Sequence, residues 1–290
     1  MRDLLKLYSF YSVHGTIGET LICDWLVERL NELGIEDINR DGNTIWHFEK
    51  GNRFLLSAHL DQVNTNGQAV HFYKSDGGII SAYNKFWQRT SLGADDKNGI
   101  WCILKCIEQG FTDFDFIISE GEEVGCVGIN KIEKHIKEST AEIAIVLDRK
   151  GNTDILKGGS TDVYCDTLAG TLRNYWNSKG NQYVVTTGTL SDTRVICKYI
   201  ESVNLCVNYE DAHTKKETTD WLALNVTQQN LMHLMTEDFV YYPTKPDVYV
   251  KKEYKYTSSS STDLYDDYDD EDWLRAYCGS KYYGNKRYRK

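Results

Sequence analysis

The stretch Ser91-Leu92-Gly93-Ala94-Asp95-Asp96-Lys97-Asn98-Gly99 sets two adjacent carboxylates in a turn of small residues, just ahead of an apolar run. His59-Leu60-Asp61 lies upstream, Glu122-Glu123 and Asp148 lie downstream, and His213 follows later. Carboxylate oxygen and imidazole nitrogen are donors that divalent cations accept, Zn2+ among them. His59, Asp95, Glu123, Asp148 and His213 are therefore candidate ligands, enough for two ions if one carboxylate bridges and each ion keeps a position for water. Two ions about 3.5–4 Å apart lower the pKa of a shared water and polarise a carbonyl, which is hydrolytic chemistry. Each piece alone has an ordinary explanation, because acids are favoured in the first turn of any helix. The ordered set carries the reading.

The flanking patterns supply elements able to position these groups. Residues 53–59 form an apolar run that reads as a buried strand delivering His59 and Asp61. Ile100, Ile103, Leu104 and Ile107 recur at helical spacing up to Gly110. Residues 114–119 read as a strand with Glu120-Gly121-Glu122-Glu123 at its carboxyl end, a polar helix is expected over 130–137, and residues 141–147 read as a strand running into Asp148. Strands alternating with helices predict an α/β fold, a mostly parallel or mixed twisted sheet flanked by helices on both faces. Upstream, Ile17, Leu21, Ile22, Trp25, Leu26 and Leu30 predict a helix over 16–33 with Glu19 in its first turn, ended by Gly34, and Asp41-Gly42-Asn43 predicts a turn. Residues 62–90 read as a hairpin or long surface loop. Beyond Asp148 the pattern is sparser: strands at 183–187 and 203–207, a helix at 193–199, and a closing helix at 223–235 with Leu224, Val226, Leu231 and Leu234 apolar.

The 290 residues, 41% hydrophobic and 12% aromatic, can close a sizeable core. Lys and Arg total 33 against 43 Asp and Glu, a net charge of -10 that argues against nucleic acid or anionic membrane as partners. Residues 1–7 are too short an apolar run for a secretory signal, and no segment approaches the roughly 18 apolar residues of a membrane span, so a soluble cytoplasmic protein is expected. The eight cysteines include no C-x-x-C pair and mostly sit in apolar runs, which predicts buried free thiols. Composition changes after residue 243, with serines at 258–261, seven acidic residues within 263–272 and a basic end at Lys286-Arg287-Tyr288-Arg289-Lys290. The expected organisation is a catalytic domain over 1–243 and a charged, flexible tail over 244–290 that is available to a protein partner.

Taken in order, His59-x-Asp61, Gly93-Ala94-Asp95-Asp96-Lys97-Asn98-Gly99, Glu122-Glu123-x-Gly125, Asp148 and His213 resemble the co-catalytic di-zinc exopeptidases, in particular the peptidase T and tripeptidase branch. Gly15, Glu19 and Asp41-Gly42-Asn43 are similar too, so the likeness is dense over 1–150 and thin over 185–235. The resemblance implies a zinc-aminopeptidase-like (phosphorylase/hydrolase-like) fold binding two Zn2+ ions. It makes Asp95 the bridge, His59 and Asp148 its partners on one ion, and Glu123 and His213 those on the other. Glu122 becomes the general base, a non-ligating carboxylate that moves a proton from water to the leaving amine. The resemblance also implies that Asp61 hydrogen-bonds His59 and fixes its tautomer, and that the peptide bond after Asp95 is cis. The implied substrates are short peptides cut near one end, by an aminopeptidase or a di- or tripeptidase. An amidohydrolase acting on N-acyl amino acids uses the same metals, and a non-catalytic binding protein of the same fold is a further alternative against which an intact Glu122 argues. One departure is clear: the stretch 149–190 is too short for the lid or dimerisation domain that peptidase T-like enzymes insert there, which points to the compact single-domain zinc aminopeptidase arrangement. Leu190-Ser191-Asp192-Thr193 resembles a Ser/Thr-Asp segment of these relatives, lying near the site or capping a helix. Arg149 is either a contact for a substrate carboxylate or a surface residue.

Overall fold

The computed structural model describes residues 1–64, 67–159, 165–188, 191–236 and 239–243. The charged stretch 244–290, and Leu190 of the Ser/Thr-Asp segment, lie outside the described residues. In chain order, helices α1 (Arg2–Tyr8) and α2 (Ile17–Glu32) lead into the hairpin of β1 (Asn39–Asp41) and β2 (Thr44–His47), and then β3 (Phe54–His59). Three short strands, β4 (His71–Lys74), β5 (Ile79–Tyr83) and β6 (Arg89–Thr90), precede α3 (Ala94–Glu108). Next come β7 (Phe114–Ser119), α4 (Val127–Lys131), α5 (Glu133–Ile136) and β8 (Ile143–Arg149). After these the chain forms β9 (Asp154–Gly159), α6 (Asp166–Ser178), β10 (Val184–Gly188), α7 (Thr193–Ile196) and β11 (Glu201–Cys206). It closes with β12 (Tyr209–Glu210), β13 (Thr218–Asp220) and α8 (Trp221–Thr236).

The main sheet has eight strands in the order β1-β2-β7-β3-β8-β11-β9-β10. Its central four, β7, β3, β8 and β11, run parallel, while β2 pairs antiparallel with β7 and β9 antiparallel with β11. The sheet is thus mixed, with a parallel centre whose carboxyl ends share one rim. Alternation along the central strands serves two faces. Phe54, Leu56, Ala58, Ile143, Ile145 and Leu147 join the large core with residues of α1, α2, α3, α6 and α8. Their neighbours Leu55, Ala144 and Val146 pack with Ile129, Ile132, Ile136, Val195 and Ile196 from the α4, α5 and α7 side. Burying each of these Leu, Ile, Val and Phe side chains contributes about 1.5–3 kcal/mol, which is why strands covered on both faces read as continuous apolar runs.

Several expectations change. Of the stripe expected on α2, Ile22, Leu26 and Leu30 are buried and Trp25 packs against the core, whereas Ile17 and Leu21 are 73% and 50% exposed and Cys23 is buried in addition. Val226 on α8 is also exposed. Residues 62–90 are more than a surface loop, because β4, β5 and β6 join β12 and β13 in a second, antiparallel sheet. The residues after Asp148 extend the main sheet through β9 and β10, with α6 packed beside them, and so occupy the stretch where a lid would be inserted. Among the described residues, Cys23, Cys102, Cys106, Cys165 and Cys206 are buried free thiols. No helix among them is long and apolar enough to cross a membrane.

Candidate metal centre

His59 is the last residue of β3, Asp148 the penultimate residue of β8, and Glu122 and Glu123 sit in the loop directly after β7. These strands are parallel neighbours, so their ends converge where open α/β sheets build sites. Asp95 comes from the first turn of α3, which packs tightly on the rim: a Cβ on Gly99 would lie 2.3 Å from the Leu147 carbonyl oxygen. Gly93, at φ +61°, starts that turn where a Cβ would meet Gln62 and Lys97. His213 arrives from the loop between β12 and β13.

The five predicted ligands come together. Asp95 Oδ1 lies 3.2 Å from His59 Nε2, and Asp95 Oδ2 lies 3.2 Å from His213 Nε2, so one carboxylate faces both imidazoles. Asp148 Oδ1 is 3.6 Å from His59 Nε2 and Glu123 Oε1 is 2.6 Å from His213 Nε2. Glu122 Oε2 stands 4.0 Å from His59 Nε2. His59, Glu122 and Asp148 form one group able to hold a metal ion, and His59, Asp95 and Glu123 a second. The Asp95-Asp96 peptide bond is cis. Asp96 faces away from this cluster: its oxygens accept the main-chain N–H groups of His59 at 3.1 Å and Gly99 at 3.0 Å, tying the end of β3 to the start of α3.

Other buried carboxylates hold the loops that carry the cluster. Asp61 meets His59 through its main-chain oxygen, 3.0 Å from Nδ1, with its own carboxylate 3.4 Å away. That carboxylate also accepts the N–H groups of Glu122 at 2.9 Å and Glu123 at 3.1 Å, so Asp61 orients the Glu pair as well as the imidazole. Glu19, read from sequence as a first-turn acid, accepts Gly15 and Gly121 N–H groups and meets His14, pinning α2 to the same loop. Glu217, more than a hundred residues beyond the Asp95 turn in sequence, is buried and accepts Gly93 and Asp95 N–H groups. Asn204 on β11 exchanges two 3.2 Å hydrogen bonds with the backbone of Asp148. Glu217 and Asn204 carry no local sequence signal beyond an acid near His213 and a polar residue inside a strand.

The donor set fits divalent cations on electrostatic grounds. Four carboxylates, Asp95, Glu122, Glu123 and Asp148, face two imidazoles at a site where all four are at most 12% exposed at the side chain. Burial pushes Glu122 well up, with Asp148 adding to it, and burial likewise raises Glu123 and Asp148. Burial disfavours the charge on His59, yet Asp148, Asp61 and Asp95 outweigh it and raise its pKa well above the usual range. Asp95, followed by Glu123, lifts His213 to about 11. Burial opposes the charge on Asp95, but His213 and His59 hold it low. This surplus of buried negative charge is what bound cations neutralise.

Asp192 falls on the site side of the two readings open for it. Its side chain makes no capping bond to α7; it accepts the Ser119 hydroxyl at 2.5 Å, and burial pushes it up to about 6. Arg149 instead pairs with Asp154 at 3.0 Å. His47, His71 and His135 contact other groups away from the cluster.

No family model matches the sequence, and no curated protein does. Solved structures match in fold. An aminopeptidase PepT from Bacillus cereus aligns at TM-score 0.68 and 18% identity, covering 81% of this chain and 96% of that one. A tripeptidase from Staphylococcus aureus aligns at TM-score 0.64 and 16% identity, with 81% and 96% covered. A Zn-dependent exopeptidase from Parabacteroides distasonis aligns at TM-score 0.59 and 17% identity, with 80% and 94% covered. The mixed sheet, its flanking helices and these likenesses establish that the chain carries the zinc-aminopeptidase fold.

Proposed function

We propose that the protein is a two-metal exopeptidase that cleaves a peptide bond near the end of a short peptide. The observation that carries this is the placement of Asp95, one oxygen toward His59 and the other toward His213, with Asp148 and Glu123 on the two sides. His59 and Asp148 would hold one ion, Glu123 and His213 the other, and Asp95 both. Zinc suits this mixture of imidazole and carboxylate, and one fold neighbour is described as Zn-dependent. When bound, such ions lower the pKa of a shared water and polarise the scissile carbonyl.

The chain's own groups supply the rest. Glu122, beside His59 but further from it than Asp95 or Asp148, takes a proton from the nucleophilic water and delivers it to the departing amine. Asp61 keeps His59 in the tautomer that leaves Nε2 free and holds the Glu122 main chain in place. The test is metal content together with hydrolysis of a panel of free di- and tripeptides and N-acyl amino acids by zinc-loaded protein. Two ions per chain with turnover of free peptides is the expected result. Turnover of the acylated compounds alone would shift the assignment to an amidohydrolase, and no metal uptake would end it.

The charges also fix a pH dependence. In metal-free protein Glu122, Glu123, Asp148 and Asp192 have pKa values raised on folding, so each favours the folded state below about pH 4 and loses that contribution as pH rises through its raised value. His59 and His213, also raised, act in the same direction at higher pH. The melting temperature of metal-free protein should fall from pH 5 to pH 7. Metal needs the deprotonated carboxylates, so the gain in melting temperature on adding zinc should widen over that interval. Melts with chelator and with zinc, across the range, check this; a constant gap contradicts it.

A further inference from the structure

We propose that Glu217 is a positioning residue that locks the Asp95 turn to the His213 loop and thereby sets how tightly the ion shared by Asp95, Glu123 and His213 is held. The inference rests on the two-metal reading above. Glu217 is 1% exposed. One carboxylate oxygen accepts the Ser91 hydroxyl and the Gly93 N–H at 2.7 Å, and the other accepts the Asp95 N–H at 3.1 Å. A buried carboxylate requires such donors, and these come from the turn that aims Asp95.

The clasp is reciprocal. Arg89, on β6 just before Ser91, donates to the carbonyl oxygens of Lys215 at 3.3 Å, Lys216 at 3.1 Å and Glu217 at 3.5 Å. Segment 89–95 therefore grips the backbone of 215–217, and Glu217 grips the backbone of 93–95. The second sheet frames both segments, since β6 pairs with β5 and β5 with β13. His213 needs this support: its side chain is 43% exposed, its φ is +62°, and apart from its ring's contacts with Glu123 and Asp95 the side-chain hydrogen bonds nearest it in sequence are the local ones of Thr214 to Asp211 and Lys216. Aligning Asp95 Oδ2 and His213 Nε2 on one ion thus depends on a residue that touches neither side chain. The opposite half, His59 and Asp148, is held by Asp61, Asp96 and Asn204 instead.

Glu217→Gln keeps the shape but turns an NH2 toward groups that themselves donate. Titration of metal-free protein with Zn2+ by calorimetry reads the consequence. Wild type should bind two ions; the variant should bind the ion at His213 about 10–100-fold more weakly, the usual size of a supporting-residue effect, and the ion at His59, which shares only Asp95 with the disturbed turn, by a smaller factor. Arg89→Lys, which leaves Glu217 intact, should weaken the same ion by a smaller factor, and it decides the matter if Glu217→Gln does not fold. A merely structural role would lower the melting temperature and leave the ratio of the two affinities unchanged. Equal affinities in variant and wild type, or equal weakening of both ions, overturns the proposal. Wild type that binds no zinc would instead overturn the two-metal reading on which it stands.

Discussion

Glu122→Gln is expected to lower kcat by about 10²–10⁴-fold, the range for loss of a positioned general base, while leaving two bound ions and the fold intact. The glutamine is isosteric, and its main-chain N–H still donates to Asp61, so the loop after β7 keeps its course. What disappears is a carboxylate able to take up and release a proton. Burial raises that carboxylate well above its ordinary pKa, with Asp148 contributing, in the metal-free site; bound cations pull it back toward the ionised form needed at neutral pH. Kinetics on a cleaved peptide, with metal counted by mass spectrometry on the same samples, separates two roles. A variant that loses an ion along with activity would make Glu122 a ligand, a role its grouping with His59 and Asp148 permits. Loss of turnover at full metal content identifies the base.

Asp95→Asn is expected to abolish measurable turnover and to remove at least one of the two ions. Asparagine offers one oxygen and one NH2 where aspartate offers two oxygens, each 3.2 Å from a different imidazole. Whichever way the amide turns, one ion meets a donor hydrogen instead of a lone pair. The loss of affinity should exceed the ~100-fold seen on removing supporting residues, because a direct ligand is lost. In metal-free protein the same change removes the anion that draws His213, and with it His59, toward one point. Zinc titration of the variant reads the stoichiometry directly; two ions bound at wild-type affinity would show that Asp95 does not bridge.

The fold was largely legible where local pattern and burial agree. β3, β7 and β8 are mostly apolar because both faces are covered, and the expected strand boundaries fall within a residue or two of those found. α6 escaped because its buried stripe is short, Leu168, Ala169, Leu172 and Trp176 among polar residues. On α2 the pattern places Ile22, Trp25, Leu26 and Leu30 on the core side but also admits Ile17 and Leu21, which are exposed, because helical spacing alone does not set the edge of the stripe that the neighbouring helices cover.

The sequence by itself determined the chemistry on offer: which donors the chain carries, their order, and their delivery at the carboxyl ends of strands. Those features are local, since each depends on a few adjacent residues and on the period-2 alternation of a strand. Tertiary structure alone decided which oxygen of Asp95 meets which histidine, that Asp61 holds the Glu pair, that Asp192 turns to Ser119, and that Glu217 clasps a turn 122 to 124 positions away. The physical reason is that a hydrogen bond requires two groups within about 3 Å, and distance in space between remote segments is set by the packing of both sheets and the helices between them.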